Sequence, residues 1–154
     1  MPAEKLRKYL DDNNVKYRTI IHSRAFTAQE VAAKAKIPGK ELAKTVIVRV
    51  GSSLAMAVLP ASLRVDFQLL QDVVGANDVE LATENEFKEV FPDCEIGAMP
   101  PFGNLYGVDV FVAERLTDDE EIAFNACSHT ELIKMAYSDF ARLVQPKVVR
   151  FSTG

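Results

Sequence analysis

Residue types and spacings suited to chemistry occur in a few places along this chain. Cys127 and His129 are two apart. In an extended segment they would face one side with Cα atoms about 6–7 Å apart, and a thiol beside an imidazole is a nucleophile–base pair. No third group that would orient the imidazole is evident, and a small buried cysteine is the simpler account of Cys127. Lys44 opens an apolar, β-branched run, where a lysine is placed to meet something specific. Lys34, Lys36 and Lys40 lie near it, with Arg24 upstream. That patch suits one or two phosphates, or is a solvated basic face. His22, His129, Cys94 and Cys127 match no metal-ligand spacing, so neither a metal nor a cofactor is expected. Glu30, Asp66, Glu84 and Glu86 are adequately explained as helix caps and surface residues. There is no Walker loop, dinucleotide fingerprint or Gly-x-Ser-x-Gly elbow.

The most distinctive stretch runs from Gly97 to Gly107, with Pro100 and Pro101 adjacent and Gly103 between. Glycine lets main-chain N–H groups approach and point at a ligand. Two prolines in series remove two donors and stiffen the turn. Met99, Phe102, Leu105 and Tyr106 make this loop apolar. Such a loop suits a small pocket whose polar contacts come from the backbone. A buried structural turn is the competing reading.

These residues must be positioned by alternating strands and helices. Leu6, Tyr9 and Leu10 among charges predict an amphipathic first helix, and residues 15–22 a strand. Thr27-Ala28-Gln29-Glu30 is a capping box that starts a helix at Ala28, broken by Pro38-Gly39. Residues 44–50 and 54–59 read as a hairpin around Gly51-Ser52-Ser53. A helix over 66–74 stops at Gly75, a short strand follows at 79–81, and a capped helix after Thr83 ends before Pro92. Residues 108–113, 121–125 and 131–136 read as strands, the last two hinged at Cys127-Ser128-His129. Ser138-Asp139 should cap a final helix through Val144, and 148–151 a closing strand. The fold class expected is α+β, with a central mixed, largely antiparallel sheet surrounded by helices.

The 154 residues are 48% hydrophobic and 26% charged, which predicts one domain over 1–154 with a sizeable core. A net charge of −4 argues against general nucleic-acid affinity. The N-terminus is amphipathic, unlike a secretory leader, and no apolar run reaches the roughly 18 residues of a membrane span. Two cysteines are too few for a disulfide framework. Together these features point to a cytoplasmic protein.

Taken in order, His22-Ser23 with Thr27-Ala28-Gln29-Glu30-Val31-Ala32, Ala43-Lys44-Thr45-Val46, Ala82-Thr83-Glu84, Gly97-Ala98-Met99-Pro100-Pro101-Phe102-Gly103 and Asn125-Ala126-Cys127-Ser128-His129 resemble the YbaK and prolyl-tRNA synthetase-associated editing-domain family. The resemblance covers nearly the whole chain. It implies a trans-acting aminoacyl-tRNA deacylase for a mischarged tRNA, tRNA for proline or a related one, carrying Ala, Cys, Ser or Thr. It implies that Lys44 holds the phosphate beside the terminal adenosine and that main-chain groups at Gly97 and Ala98 contact the ester. His22, Thr45, Met99, Pro100, Phe102, Gly103 and His129 are then expected around the substrate. The substrate's own ribose 2′-hydroxyl would help activate water, consistent with the missing triad. Cys127 stands where the family often has Gly or Ala. The expected partner is the acceptor end of an aminoacyl-tRNA, with a synthetase as a further candidate. Two rivals remain open: a non-catalytic aminoacyl-tRNA or nucleotide-binding module, and a Cys127–His129 hydrolase.

Overall fold

The computed structural model describes residues 3–153. In chain order the elements are α1 (Glu4–Asp12), β1 (Tyr17–Ile21), α2 (Ala28–Ala35), β2 (Ala43–Val50), β3 (Ser53–Pro60), β4 (Arg64–Val65), α3 (Phe67–Val74), β5 (Val79–Leu81), α4 (Glu84–Phe87), β6 (Asp109–Ala113), β7 (Glu121–Asn125), β8 (Glu131–Ala136), α5 (Tyr137–Val144), β9 (Lys147–Val149) and β10 (Ser152–Thr153). A five-stranded sheet has the order β5-β2-β3-β6-β9, a three-stranded sheet the order β1-β8-β7, and β10 pairs with β4. The β2–β3 hairpin is antiparallel from Ala43↔Pro60 to Val50↔Ser53, whereas β6 runs parallel to β3 and to β9. The expected α+β architecture with a mixed central sheet is the observed one; of that sheet's four ladders two are antiparallel and two parallel.

The local chemistry explains most boundaries. Thr27 Oγ1 accepts from Glu30 N at 3.1 Å, and the Glu30 carboxylate accepts from Thr27 N, so the capping box starts α2 as expected. Asp66 caps α3 through Leu69 N at 3.0 Å. α5 departs from expectation. It begins at Tyr137, and no Ser138 or Asp139 side chain caps it. β8 runs straight into this helix, and the Tyr137 N–H is satisfied by the Glu120 carbonyl at 3.0 Å. A tertiary acceptor replaces the side-chain cap. The two-residue strands β4 and β10 were not anticipated, because a ladder of two pairs leaves no periodicity in sequence.

Alternation along β2 and β3 sends Ala43, Ile47, Met56 and Val58 to one face of the large sheet. There they pack with Leu6 and Leu10 of α1, Phe140 of α5 and Phe124 and Ile133 of the small sheet. The other face carries Val48, Ala57, Leu59 and Phe111 beneath Leu70 of α3 and Phe151. Each fully buried Leu or Phe contributes about 1.5–3 kcal/mol relative to exposure. A smaller cluster of Ala25, Val31, Leu42, Ala61, Ala123 and Leu132 joins α2 to the seam between the sheets, where Leu42 bridges Ala123.

Asp119 opposes this packing. Asp119 Oδ2 is buried without a hydrogen-bond partner. Burial, with the nearby Glu41 carboxylate, pushes the Asp119 carboxyl up to about 6. A raised folded value means that the ionised group destabilises the fold above about pH 6, and that this penalty disappears as pH falls toward the unfolded value. Asp119→Asn should therefore stabilise the protein by roughly 1 kcal/mol at pH 7.5, discounted because the group is partly solvated. The gain should vanish near pH 4, read as the difference in unfolding midpoint across pH.

Candidate active site

The loop between α4 and β6 and the turn between β7 and β8 are zipped together. Glu95 N donates to the Cys127 carbonyl at 2.9 Å, and Cys127 N donates to the Ala98 carbonyl at 3.0 Å. His129 N donates to Glu95 Oε2 at 2.7 Å, and His129 Nε2 lies 2.9 Å from the Ile96 carbonyl. A carbonyl only accepts, so Nε2 carries the proton. In the neutral ring Nδ1 is then a bare acceptor, and it is buried without a partner. Ala25 N donates to the His129 carbonyl and His22 N to the Thr130 carbonyl, so the chain after β1 closes the third side. The His22 ring is also buried, with Nδ1 2.7 Å from the Ser23 carbonyl and Nε2 unpartnered.

Gly97 sits beside this histidine at φ +88°, and a Cβ there would meet His129 Cε1 at 3.5 Å. Gly97 is exposed as a residue, and its N–H makes no intramolecular hydrogen bond among the described residues. Ala98 is different, because its N–H already donates to the Glu95 carbonyl at 3.0 Å and the residue is fully buried. Of the two main-chain donors expected at Gly97 and Ala98, the second is therefore engaged within the chain. The tight turn that places Gly97 uses the second donor.

Glu95 holds both sides of the site. Its Oε1 accepts from Arg24 at 2.7 Å while Oε2 accepts from His129 N. Burial pushes the carboxyl up, but Arg24 and the His129 N–H outweigh it and hold the group below its ordinary value. Phe26 lies over the imidazole with ring centroids 4.8 Å apart, yet it is 63% exposed. Arg24 approaches the same ring at 5.4 Å. Neither Glu95 nor Phe26 was singled out in sequence. Each is an ordinary loop residue until the fold brings it to His129.

The remaining expected site residues divide. Met99 and Pro100 are buried directly behind Gly97. Phe102 has no exposed surface and packs against Tyr9, Phe124 and Phe140. A Cβ on Gly103 would overlap the Val108 carbonyl and come within 2.7 Å of Val110 Cγ2. Phe102 and Gly103 are thus core, and Gly103 allows close backbone approach. Cys127 is joined to Cys94 by a disulfide. It has no free thiol, so the Cys127–His129 nucleophile pair is not present, and the simple buried-cysteine reading is replaced by a covalent link.

Lys44 and Thr45 lie on β2. Lys44 pairs with Leu59 and shares the face that carries Val46 and Val48, whereas Thr45 faces the side of Ile47 and Met56. Thr45 Oγ1 is buried without a partner. Lys44 Nζ reaches only the Ala61 carbonyl, at 3.5 Å, and no carboxylate pairs with it among the described residues. Burial and the neighbouring Arg64 pull its ammonium below the ordinary lysine value. No hydrogen bond joins Lys44 to the Gly97–His129 pair.

Residues 22–143 match the aminoacyl-tRNA editing domain. This chain belongs to that family. Among similar proteins, the multifunctional Ser/Thr-tRNA deacylase ProXp-y of Escherichia coli (strain K12) is 27% identical over 157 residues, spanning 96% of this chain and 91% of that one. The proline–tRNA ligase of Bacillus mycoides (strain KBAB4) is 31% identical over 82 residues, which are 53% of this chain and 14% of the ligase. A solved structure described as a candidate trans-editing enzyme for prolyl tRNA synthetase superposes with a TM-score of 0.83 at 19% identity, covering 99% and 97% of the two chains. That likeness shows that the two share a fold.

Glu95 gives a direct test of this frame. Glu95→Ala removes the acceptor for both Arg24 and His129 N, and should lower stability by about 1 kcal/mol, since the ion pair is partly solvated. Glu95→Gln keeps an acceptor for His129 N and should cost less. Because the folded carboxyl value is depressed, its contribution is present above the unfolded value and is lost as pH falls through the folded one. The difference between wild type and Glu95→Gln in thermal unfolding should therefore close in acid, below about pH 4.

Proposed function

We propose that this protein is an aminoacyl-tRNA deacylase that acts in trans and removes a small, wrongly attached amino acid from the acceptor end of tRNA. The observation that carries the reading is the unpaired N–H of an exposed Gly97 next to a buried His129 in a member of the editing-domain family. A main-chain donor fixed by four hydrogen bonds needs no reorganisation to meet charge developing on an ester carbonyl. In the step proposed, water adds to that carbonyl, the negative charge on oxygen is met by Gly97 N–H, and the acyl–oxygen bond breaks. The products are the free amino acid and the ribose hydroxyl of the tRNA.

The base is assigned to the substrate's ribose 2′-hydroxyl. Glu95 is the carboxylate nearest in the hydrogen-bond network, and it is committed to Arg24 and His129 N, with its carboxyl held low, so it is a poor proton acceptor. Lys44 is assigned to an acceptor-end phosphate. A half-buried ammonium with a cation beside it and no carboxylate partner is an uncompensated charge that an anion would satisfy. The unpartnered His129 Nδ1 is an acceptor, which favours Ser and Thr esters over Ala, in keeping with the Ser/Thr-tRNA deacylase among its relatives. Hydroxyl recognition of this kind discriminates more strongly than apolar fit, which separates one methylene by about 1–3 kcal/mol.

Two variants test the assignments on a panel of mischarged tRNAs. Lys44→Ala should lower deacylation on the order of 100-fold without lowering the unfolding midpoint, since it removes a half-buried charge that has no carboxylate partner. Full activity in that variant would take Lys44 out of the mechanism. His129→Ala should reduce hydrolysis of Ser and Thr esters relative to Ala esters, and an unchanged ratio would remove its selectivity role. If the wild-type protein binds the panel and turns over none of it, the chain is a binding module.

A further inference from the structure

We propose that Cys94 and Cys127 form a reversible dithiol–disulfide pair whose oxidation state sets how firmly the Gly97 loop is held against His129. Its effect on turnover rests on the deacylase reading; its effect on the loop does not. The bond joins the two segments that make the hydrogen-bonded zipper, one cysteine directly before Glu95 and the other two residues before His129. Cys127 has φ +63°, a left-handed conformation that favours glycine. A side chain is retained there against the backbone's preference, and its sulfur is bonded to Cys94. The pair borders an open cavity of about 650 Å³ together with Arg24, Glu95 and Thr130. Cys94 is partly exposed while Cys127 is buried, so a reductant meets Cys94 first. These are the only two cysteines in the chain, so no other intramolecular pairing competes.

The chemistry is thiol–disulfide exchange with a cellular dithiol. A reductant thiolate attacks Cys94 Sγ, the Sγ–Sγ bond breaks, and Cys127 leaves as a thiolate that takes a proton. The reductant's second thiol then displaces Cys94 and closes its own disulfide. The protein gains two electrons and two protons, and the reductant loses the same. Once reduced, the two segments keep only their hydrogen bonds, and the Gly97 N–H is free to drift from the position that meets the ester.

The test uses the full chain equilibrated in glutathione buffers from reducing to oxidising. Thiols are counted by alkylation and mass, amide exchange is read at 95–98 and 127–129, and turnover is read on the mischarged-tRNA panel. Reduction should speed exchange in both segments roughly tenfold and lower kcat about three- to tenfold with KM little changed. Cys127→Gly, which suits the backbone, and Cys94→Ser should each be insensitive to the buffer. Two free thiols at every potential, or identical exchange in the two states, overturns the proposal. So does stoichiometric zinc held by the reduced chain through Asp93, Cys94 and Cys127, whose ligand atoms lie within 4.8 Å of one another. If no ester is hydrolysed in either state, the deacylase reading fails, while exchange still decides the redox proposal.

Discussion

The structure depends on the pairing of two irregular segments, 95–98 and 127–129. Neither is a strand or a helix, and each alone would leave main-chain groups without partners. Together they satisfy one another through Glu95 N, Cys127 N, His129 N and the His129 ring. The N–H of the exposed Gly97 takes no part in these bonds. Unmade hydrogen bonds are costly when buried, so the pairing is strongly specified. It fixes the donor, the imidazole tautomer and the bare acceptor at once.

Glu95 gives this pairing its electrostatic character. One carboxylate ties Arg24 from the segment after β1 to the main chain of His129. Three separate parts of the chain therefore meet on one side chain. A carboxylate held in this way positions its neighbours and is poorly suited to take a proton.

The large sheet contributes differently. Its two faces are both apolar, and α1, α5 and the small sheet cover one face while α3 and Phe151 cover the other. Lys44 is an exception to this pattern, a half-buried ammonium beside Arg64 with a carbonyl as its acceptor. A fold selected for stability alone would have placed a carboxylate nearby or an apolar residue instead. This charge on β2 is separate from the Gly97–His129 pairing in the hydrogen-bond network.

Residue order alone specified much of this molecule. The β2–β3 hairpin followed from two apolar runs around Gly51, the first β-branched, α2 from its capping box, and the mixed α+β class from the alternation of periods. The ordered motifs from His22 to His129 pointed to the editing family because they are local strings that keep their spacing. Tertiary structure decided the rest, because it concerns partners distant in sequence. The Ala98 N–H is engaged because the Glu95 carbonyl accepts it. Phe102 and Gly103 became core because Tyr9, Phe124, Phe140 and Val108 close around them. Cys127 gained a bond to a residue 33 positions away. A local pattern records the conformation that a segment prefers; which of its groups remain free for chemistry depends on what the folded chain brings against them.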